Sequence, residues 1–275
     1  MTKNSKSLLA EEIIEKAIAY GSNLAGLADV AALKKSPSHV LYEQLPYRKS
    51  SSLSKESEPS TQGKVVWPED AKTMAVIAIA HPEDEPHLDW WYKKGQPGGT
   101  QGNLLLIRVF NKLSKWLEDE KGIKTIKISY FIEEGGIFLK DAAALAGIGV
   151  VGKNNMLVTE KYGPRVRLRA LGLPLELGST GLLDFDPCKG CSMPCRSVCP
   201  QACFAEKVYS AETCGLTDLP AREGVYDRKK CYPEMGKNIT DSEKTSAELG
   251  GKKKETAGTS SCRRCEFSCI AGIGK

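Results

Sequence analysis

Residues 1 to 187 contain no cysteine, and the 275-residue chain has only three histidines, His39, His81 and His87, all far in sequence from any cysteine. A mixed Cys/His zinc site or a histidine-centred triad therefore has little material. Long apolar runs are missing too: the longest, Met74 to Ala80, is too short to cross a bilayer. Met1 to Ser7 leads into an acidic amphipathic stretch rather than a signal-peptide core, so the expectation is a chain without a membrane span that stays in the cytoplasm. Neither sign of charge dominates, with 39 basic residues against 34 acidic ones, and a net charge of +5 neither requires nor excludes a polyanionic partner. At 41% apolar and 27% charged the chain is neither disordered nor collagen-like, and its length suits one large or two medium domains.

What is present is lopsided. All ten cysteines fall after Pro187. Where thiols are kept reduced, clustered cysteines bind metal more often than they form disulfides.

The cysteine-free part reads as mixed α and β. Leu8, Leu9, Ile13, Ile14, Ala17 and Ile18 fall at helical spacing with Glu11, Glu12, Glu15 and Lys16 opposite, and Gly21 supplies a stop. Residues 36 to 66, rich in Ser, Pro, Lys and Glu, read as a loop. Met74 to Ala80 reads as a strand buried on both faces, Leu104 to Leu117 as a helix, Thr125 to Phe131 as a strand and Ile137 to Ala146 as an alanine-rich helix. The following Gly147, Gly149 and Gly152 match G-x-G-x-x-G, and Gly152-Lys153 half-completes a P-loop. Both matches fail on context, because a nucleotide loop follows a strand and opens a helix, whereas this one follows a helix and opens a strand. Pro164 to Leu171 alternates strictly, with Arg165, Arg167 and Arg169 on one face, either solvated or turned toward an anion. Residues 236 to 261 read as an exposed insertion between cysteine groups.

Cys188, Cys191, Cys195 and Cys199 precede Pro200 with spacings of two, three and three residues, close to the bacterial ferredoxin run. Cys262, Cys265 and Cys269 repeat the two-then-three spacing, and Cys231 stands between the groups. Four plus four makes the eight thiolates that two 4Fe-4S clusters need. In the ferredoxin run the cysteine before proline ligates the other cluster. The favoured partnering is therefore crossed: Cys188, Cys191, Cys195 and Cys269 on one cluster, and Cys199, Cys231, Cys262 and Cys265 on the other. Zinc is the alternative for paired C-x-x-C units. Cys203 and Cys214 remain over and read as buried thiols.

The stretch Ala146 to Asn154, then Tyr162-Gly163-Pro164-Arg165, then the two cysteine groups bridged by Asp227 to Cys231, resembles epoxyqueuosine reductase and its reductive dehalogenase relatives over most of residues 73 to 275. The resemblance implies an α+β fold. A nitroreductase-like α/β domain (residues 1–180) would hold cobalamin, and a ferredoxin-like domain (181–275) with two 4Fe-4S clusters would feed it electrons. It places Gly149, Gly152, Lys153, Asn154, Asn155, Gly163 and Arg165 at the corrinoid and needs no histidine below the cobalt. The family's catalytic acid is an Asp just before the alanine-rich helix; here Glu133 occupies that place, as proton donor or as part of a solvated Glu-Glu turn. A second departure is Ile270, where the family has proline after the last cysteine. The family's tRNA-acting members continue past the position of Lys275 into a helical-repeat tail that helps grip the RNA. The expectation is an oxygen-sensitive oxidoreductase taking electrons from an external low-potential donor, acting on a small molecule or corrinoid, with tRNA the other candidate substrate. The competing reading is a non-catalytic corrinoid carrier or electron-transfer partner.

Overall fold

The computed structural model describes residues 3–44, 64–90, 99–129, 132–241, 244–249, 252–257 and 262–273. The chain opens with helix α1 (Lys3–Ala19), which buries Leu9, Ile13 and Ala17, one residue per turn. Strand β1 (Leu24–Asp29) follows, then two short helices, α2 (Val30–Leu33), capped by the Asp29 carboxylate on the Ala32 N–H, and α3 (Pro37–Tyr42). Helix α3 falls inside the stretch expected to be loop, started by Pro37 at its first turn. Residues 45–63 of that stretch lie outside the described residues.

Strand β2 (Thr73–Ala80) is buried along almost its whole length, as its unbroken apolar run requires. Helix α4 (Gln101–Lys121) starts at Thr100, whose hydroxyl accepts from the Asn103 N–H, and stops at Gly122, in the left-handed region at φ 66°. Strand β3 is only Ile126–Lys127, shorter than the alternation over 125–131 suggested; residues 130 and 131 are outside the described set. Helix α5 (Leu139–Leu145), the strand pair β4 (Val150–Val151) and β5 (Leu157–Val158), and strand β6 (Val166–Leu173) complete this part.

The main sheet has the order β1-β2-β6-β3 and is antiparallel throughout. Alternation along β2 divides the core. Ala75, Ile77 and Ile79, with Leu171 and Leu173 of β6, pack under α1 and α4, where Leu106, Leu113 and Leu117 are fully buried. Met74, Val76 and Ala78, with Val166 and Ala170, pack against α2 and α5 through Val30, Leu33, Ala142 and Ala143. Both faces are thus covered, which is why β2 lacks the polar alternation of a half-exposed strand.

The cysteine-bearing part has little regular structure: α6 (Pro194–Ser197), α7 (Ala211–Cys214), α8 (Arg228–Asp241), the hairpin β7 (Lys244–Leu249) and β8 (Lys252–Ala257), and α9 (Arg264–Phe267). The stretch expected to be an exposed insertion is the end of α8 followed by this hairpin. The mixed α+β class is as expected.

Candidate metal centre

The ten cysteines are all unpaired by disulfides, and Cys195, Cys203 and Cys214 are buried. The cysteines expected to hold clusters fall into two neighbourhoods. Burial pushes the Cys195 thiol up to about 11, and the adjoining Cys269, Cys188 and Cys191 push in the same direction. Burial likewise raises Cys265 to about 12, reinforced by Cys262, Cys231 and Cys199. Cys231 is raised by burial and by Cys199 and Cys262. Each neighbourhood draws on both cysteine-rich segments, because α9 brings the later segment back against α6. Partly buried thiols crowded together resist ionisation; a bound cation reverses that preference by supplying the missing positive charge. Among the described residues no three His, Cys, Asp or Glu side chains form a site for a single metal ion.

The first neighbourhood lies against the glycine loop. The Lys153 N–H donates to Cys188 Sγ at 3.3 Å, and the Met193 N–H donates to Cys191 Sγ at 3.3 Å. Arg196 donates from Nε to the Lys153 carbonyl (2.8 Å) and from Nη1 to Glu223 (2.7 Å), while Lys153 Nζ reaches the same Glu223 at 2.5 Å. The loop and the first cysteine segment therefore share one carboxylate.

The second seam is made by the arginine face of β6. Arg165 is 9% exposed and donates to the carbonyls of Cys269 (3.0 Å), Ala271 (2.5 Å) and Glu266 (3.4 Å). Arg167 bridges Glu266 (3.2 Å) and Asp89 (3.4 Å), and Arg169 stacks on Phe110 with its guanidinium 5.2 Å from the ring centre. Arg263, between Cys262 and Cys265, donates to Asp89 Oδ2 (2.5 Å), to the His81 carbonyl (2.6 Å) and to Glu266. His81 Nε2 lies 3.0 Å from Asp89 Oδ1. Two guanidiniums thus face two carboxylates, and burial keeps His81 below its ordinary pKa, so the buried set is close to neutral. Burial alone would raise Asp89, but the His81 hydrogen bond and the Arg167 and Arg263 charges outweigh it and hold the carboxyl well below the usual range. The arginine face is neither a solvated strand face nor open to a free anion: Arg165 and Arg167 fasten the sheet to the last cysteine segment, and Arg169 packs on helix α4.

Of the residues expected at a corrinoid, Gly149, Gly152, Lys153, Asn154 and Asn155 belong to the glycine loop of the first seam, Gly163 and Arg165 to the second, and most are taken up by protein contacts. Gly147 closes α5: its N–H bonds the Ala144 carbonyl and the next N–H bonds Ala143, a helix terminator at φ 64° rather than a nucleotide loop. A side chain at Gly149 would strike the Val158 carbonyl, and one at Gly152 would strike Val158 and the Asn154 amide. At Gly163, φ 56°, a Cβ would lie 2.0 Å from the Ala271 carbonyl, so this position must be glycine for the last segment to dock. Asn155, at φ 59°, accepts from the Ala221 N–H, and its carbonyl accepts from Lys140 Nζ at 2.6 Å. Burial lowers Lys140 to about 8. Asn154 differs from the rest: it is 4% exposed, its Oδ1 accepts from the Met156 N–H, and its Nδ2 has no partner among the described residues. Glu133 sits in a 3-10 turn, Ile132–Glu134; its side chain is outside the described set.

Reading the sequence missed His81, Asp89, Arg263, Glu266 and Lys140. Charged residues in a loop-like stretch look solvated, and nothing in their spacing announces burial.

Fold and thiol geometry define a class: an antiparallel α+β sheet covered on both faces, docked onto two cysteine neighbourhoods. No family model matches the chain. It is 29% identical over 153 residues to the epoxyqueuosine reductase of Lactococcus garvieae (strain Lg2), covering 53% of this chain and 42% of that protein. It is 31% identical over 99 residues to a tetrachloroethene reductive dehalogenase of Desulfitobacterium hafniense, covering 32% of this chain and 17% of that one. In structure it superimposes on an epoxyqueuosine reductase crystallised with a tRNA stem loop at TM-score 0.60 and 19% identity, covering 98% of this chain and 67% of that one. A reductive dehalogenase described with a mechanism for B12-dependent dehalogenation gives TM-score 0.54 at 14% identity, covering 93% and 31%. The chain is thus similar to epoxyqueuosine reductases and reductive dehalogenases, the resemblance its motifs carried. The matched stretch spans less than half the length of these two curated relatives.

Proposed function

We propose that the chain is a cobalamin-dependent iron-sulfur oxidoreductase of the epoxyqueuosine reductase type. Residues 1–180 form a nitroreductase-like corrinoid domain, and residues 181–275 form a ferredoxin-like domain with two 4Fe-4S clusters. The observation that carries this reading is the sorting of the thiols in space: Cys195 beside Cys188, Cys191 and Cys269, and Cys265 beside Cys199, Cys231 and Cys262. These are the two crossed ligand sets, and soft sulfur donors in fours suit iron-sulfur clusters. Such clusters reach potentials as low as about −700 mV, enough to reduce a corrinoid, and their electrons come from an external low-potential donor.

The corrinoid finds one specific fit. Asn154 Nδ2 is a buried donor with an unmet hydrogen bond, on the loop that touches the first thiol group. An acceptor on the corrinoid edge satisfies it, since a buried donor left unpaired costs about 1–3 kcal/mol. Gly149 and Gly152 let that loop pack on Val158, with Cys188 Sγ next to Gly152, Lys153 and Asn155 pin it to Glu223 and Ala221, Gly163 and Arg165 dock the last segment beside it, and cobalamin, when bound, would supply a nucleophilic, strongly reducing cobalt centre. Glu133 is the proton donor. The substrate is a small molecule, a corrinoid or, by analogy with the relative crystallised with a tRNA stem loop, a modified RNA. The compartment is the cytoplasm, where thiols stay reduced.

Anaerobic reconstitution with iron, sulfide and cobalamin tests the reading. About eight iron atoms per chain are expected from two cubanes, together with a base-off corrinoid spectrum. Zinc alone, or clusters without corrinoid uptake, overturns it. A Glu133→Gln variant that keeps both cofactors and full turnover removes Glu133 as the acid. Electron delivery to a separate corrinoid protein, with no turnover by this chain, marks the carrier reading instead.

A further inference from the structure

Ser36, helix α3 and Val66 all fall in the stretch expected to be loop, yet they hold the ends of the segment that carries Glu133. His39, in α3, is 2% exposed. Its Nε2 accepts the Phe138 N–H at 3.1 Å, so the ring proton sits on Nδ1, which donates to Ser36 Oγ at 2.8 Å. Trp67 lies against the ring with centres 4.7 Å apart, and Phe138 meets it edge-on at 4.9 Å. Burial lowers the His39 pKa to about 4, against a smaller opposing pull from Asp141, so Nε2 stays free to accept at neutral pH.

Both ends of the acid-bearing segment are tied to this aromatic group. At one end the Val66 N–H, next to Trp67 in the chain, donates to the Ile132 carbonyl at 3.1 Å; at the other stands the Phe138 bond. Between them lie Gly135, at φ 92° with open space where a side chain would be, and Gly136, so the segment has little stiffness of its own. Helix α3 is fixed in turn, because the Ser38 N–H and hydroxyl donate to the Asp141 carboxylate of α5 at 2.9 and 2.7 Å.

We propose that His39 is a positioning residue for the proton donor: through Nε2 and the Phe138 N–H it fixes the 132–138 segment, and with it the place of Glu133. This rests on the reading of Glu133 as the acid, given above. Only one of the two ring nitrogens carries the effect, which separates it from the packing of the ring. The side-chain carbonyl of His39→Gln reaches the place of Nε2 and keeps the Phe138 bond. The shorter amide of His39→Asn reaches only the place of Nδ1 and keeps the Ser36 bond.

The test is amide hydrogen exchange resolved at Phe138, with carbodiimide amidation of Glu133 read by peptide mass spectrometry and thermal unfolding measured alongside. It is run on the anaerobically reconstituted chain and on His39→Gln, His39→Asn and His39→Ala. In His39→Asn and His39→Ala the Phe138 amide should exchange roughly 2- to 10-fold faster, as the loss of one hydrogen bond requires, and Glu133 should amidate faster. His39→Gln should match the unsubstituted chain in both, even where its Tm falls as far as that of His39→Asn. Equal exchange in His39→Gln and His39→Asn overturns the proposal, since packing alone is then at work. So does faster exchange at Phe138 with Glu133 amidation unmoved. Should His39→Ala not fold, the other two variants decide. Full turnover by Glu133→Gln is a separate failure: it removes the acid reading, while the exchange pattern still reports whether His39 holds the segment.

Discussion

Replacing Asp89 by Asn keeps the shape of the side chain and removes its charge from the buried set that joins the sheet to the last cysteine segment. The carboxylate is held by His81 at 3.0 Å, Arg263 at 2.5 Å and Arg167 at 3.4 Å, and Asp89 is 7% exposed. Removing one partner of a buried pair costs about 3–5 kcal/mol, because the surviving charge is left uncompensated. Arg263 and Arg167 both keep Glu266, so the expected loss is at the low end, about 3 kcal/mol, a large share of the ~5–15 kcal/mol of a typical domain. Urea unfolding followed by circular dichroism at pH 7 measures it, as a lowered midpoint with an unchanged slope. The pH dependence is a second readout. Because the folded-state pKa of Asp89 is depressed, its contribution is complete above the unfolded value of about 3.9 and is lost as pH falls from there toward the folded value. The gap between the chain and the Asp89→Asn variant should shrink by about 1.4 kcal/mol for each pH unit below about 4. A loss under about 1 kcal/mol, or a gap that does not change between pH 5 and pH 3, refutes the latch.

Three further outcomes are expected. Gly163→Ala should cost more than about 2 kcal/mol, because φ is 56° and the new methyl would meet the Ala271 carbonyl; cysteines of the last segment should then react faster with a thiol reagent, and an unchanged rate counts against the docking contact. His39 is buried against Trp67 and Phe138, and burial lowers its pKa to about 4. It is neutral when folded, so below about pH 6.5 the unfolded chain takes up the proton first and stability falls by up to about 3 kcal/mol on the way to pH 4. A ring titration midpoint near 6.5 by NMR would contradict this. Arg196→Met should loosen the first cysteine segment from the glycine loop, since it removes the bonds to the Lys153 carbonyl and Glu223; iron loss from one cluster with the other retained is the expected signature, and full retention argues against it.

The elements with long periodic patterns were legible from sequence. The helix at Leu104 to Leu117 and the buried run Met74 to Ala80 both appear where their patterns place them, slightly extended. Strand β1 was not legible, because Leu24-Ala25-Gly26-Leu27-Ala28 is poor in strand-forming residues and owes its conformation to pairing with β2. Cysteine spacing marked the two cysteine segments because those spacings are short and local. The seam was hidden for the opposite reason: Asp89 and Arg263 are 174 positions apart, and only the tertiary fold makes them neighbours. For the same reason Arg165 and Arg167 looked like part of a surface, when they are points at which two parts of the chain are fastened.

Each thiol neighbourhood draws members from residues on both sides of the β7–β8 hairpin: Cys269 joins Cys188, Cys191 and Cys195, and Cys262 and Cys265 join Cys199 and Cys231. During synthesis neither set is complete until residues 262–269 have left the ribosome. A nascent chain that has made only the first cysteine segment presents an incomplete set of thiols, open to zinc capture or oxidation. On the proposed two-cluster reading, this crossed arrangement imposes an order on maturation, in which the sheet can close early but cluster loading waits for the last cysteine segment to dock onto Arg165 and Arg167.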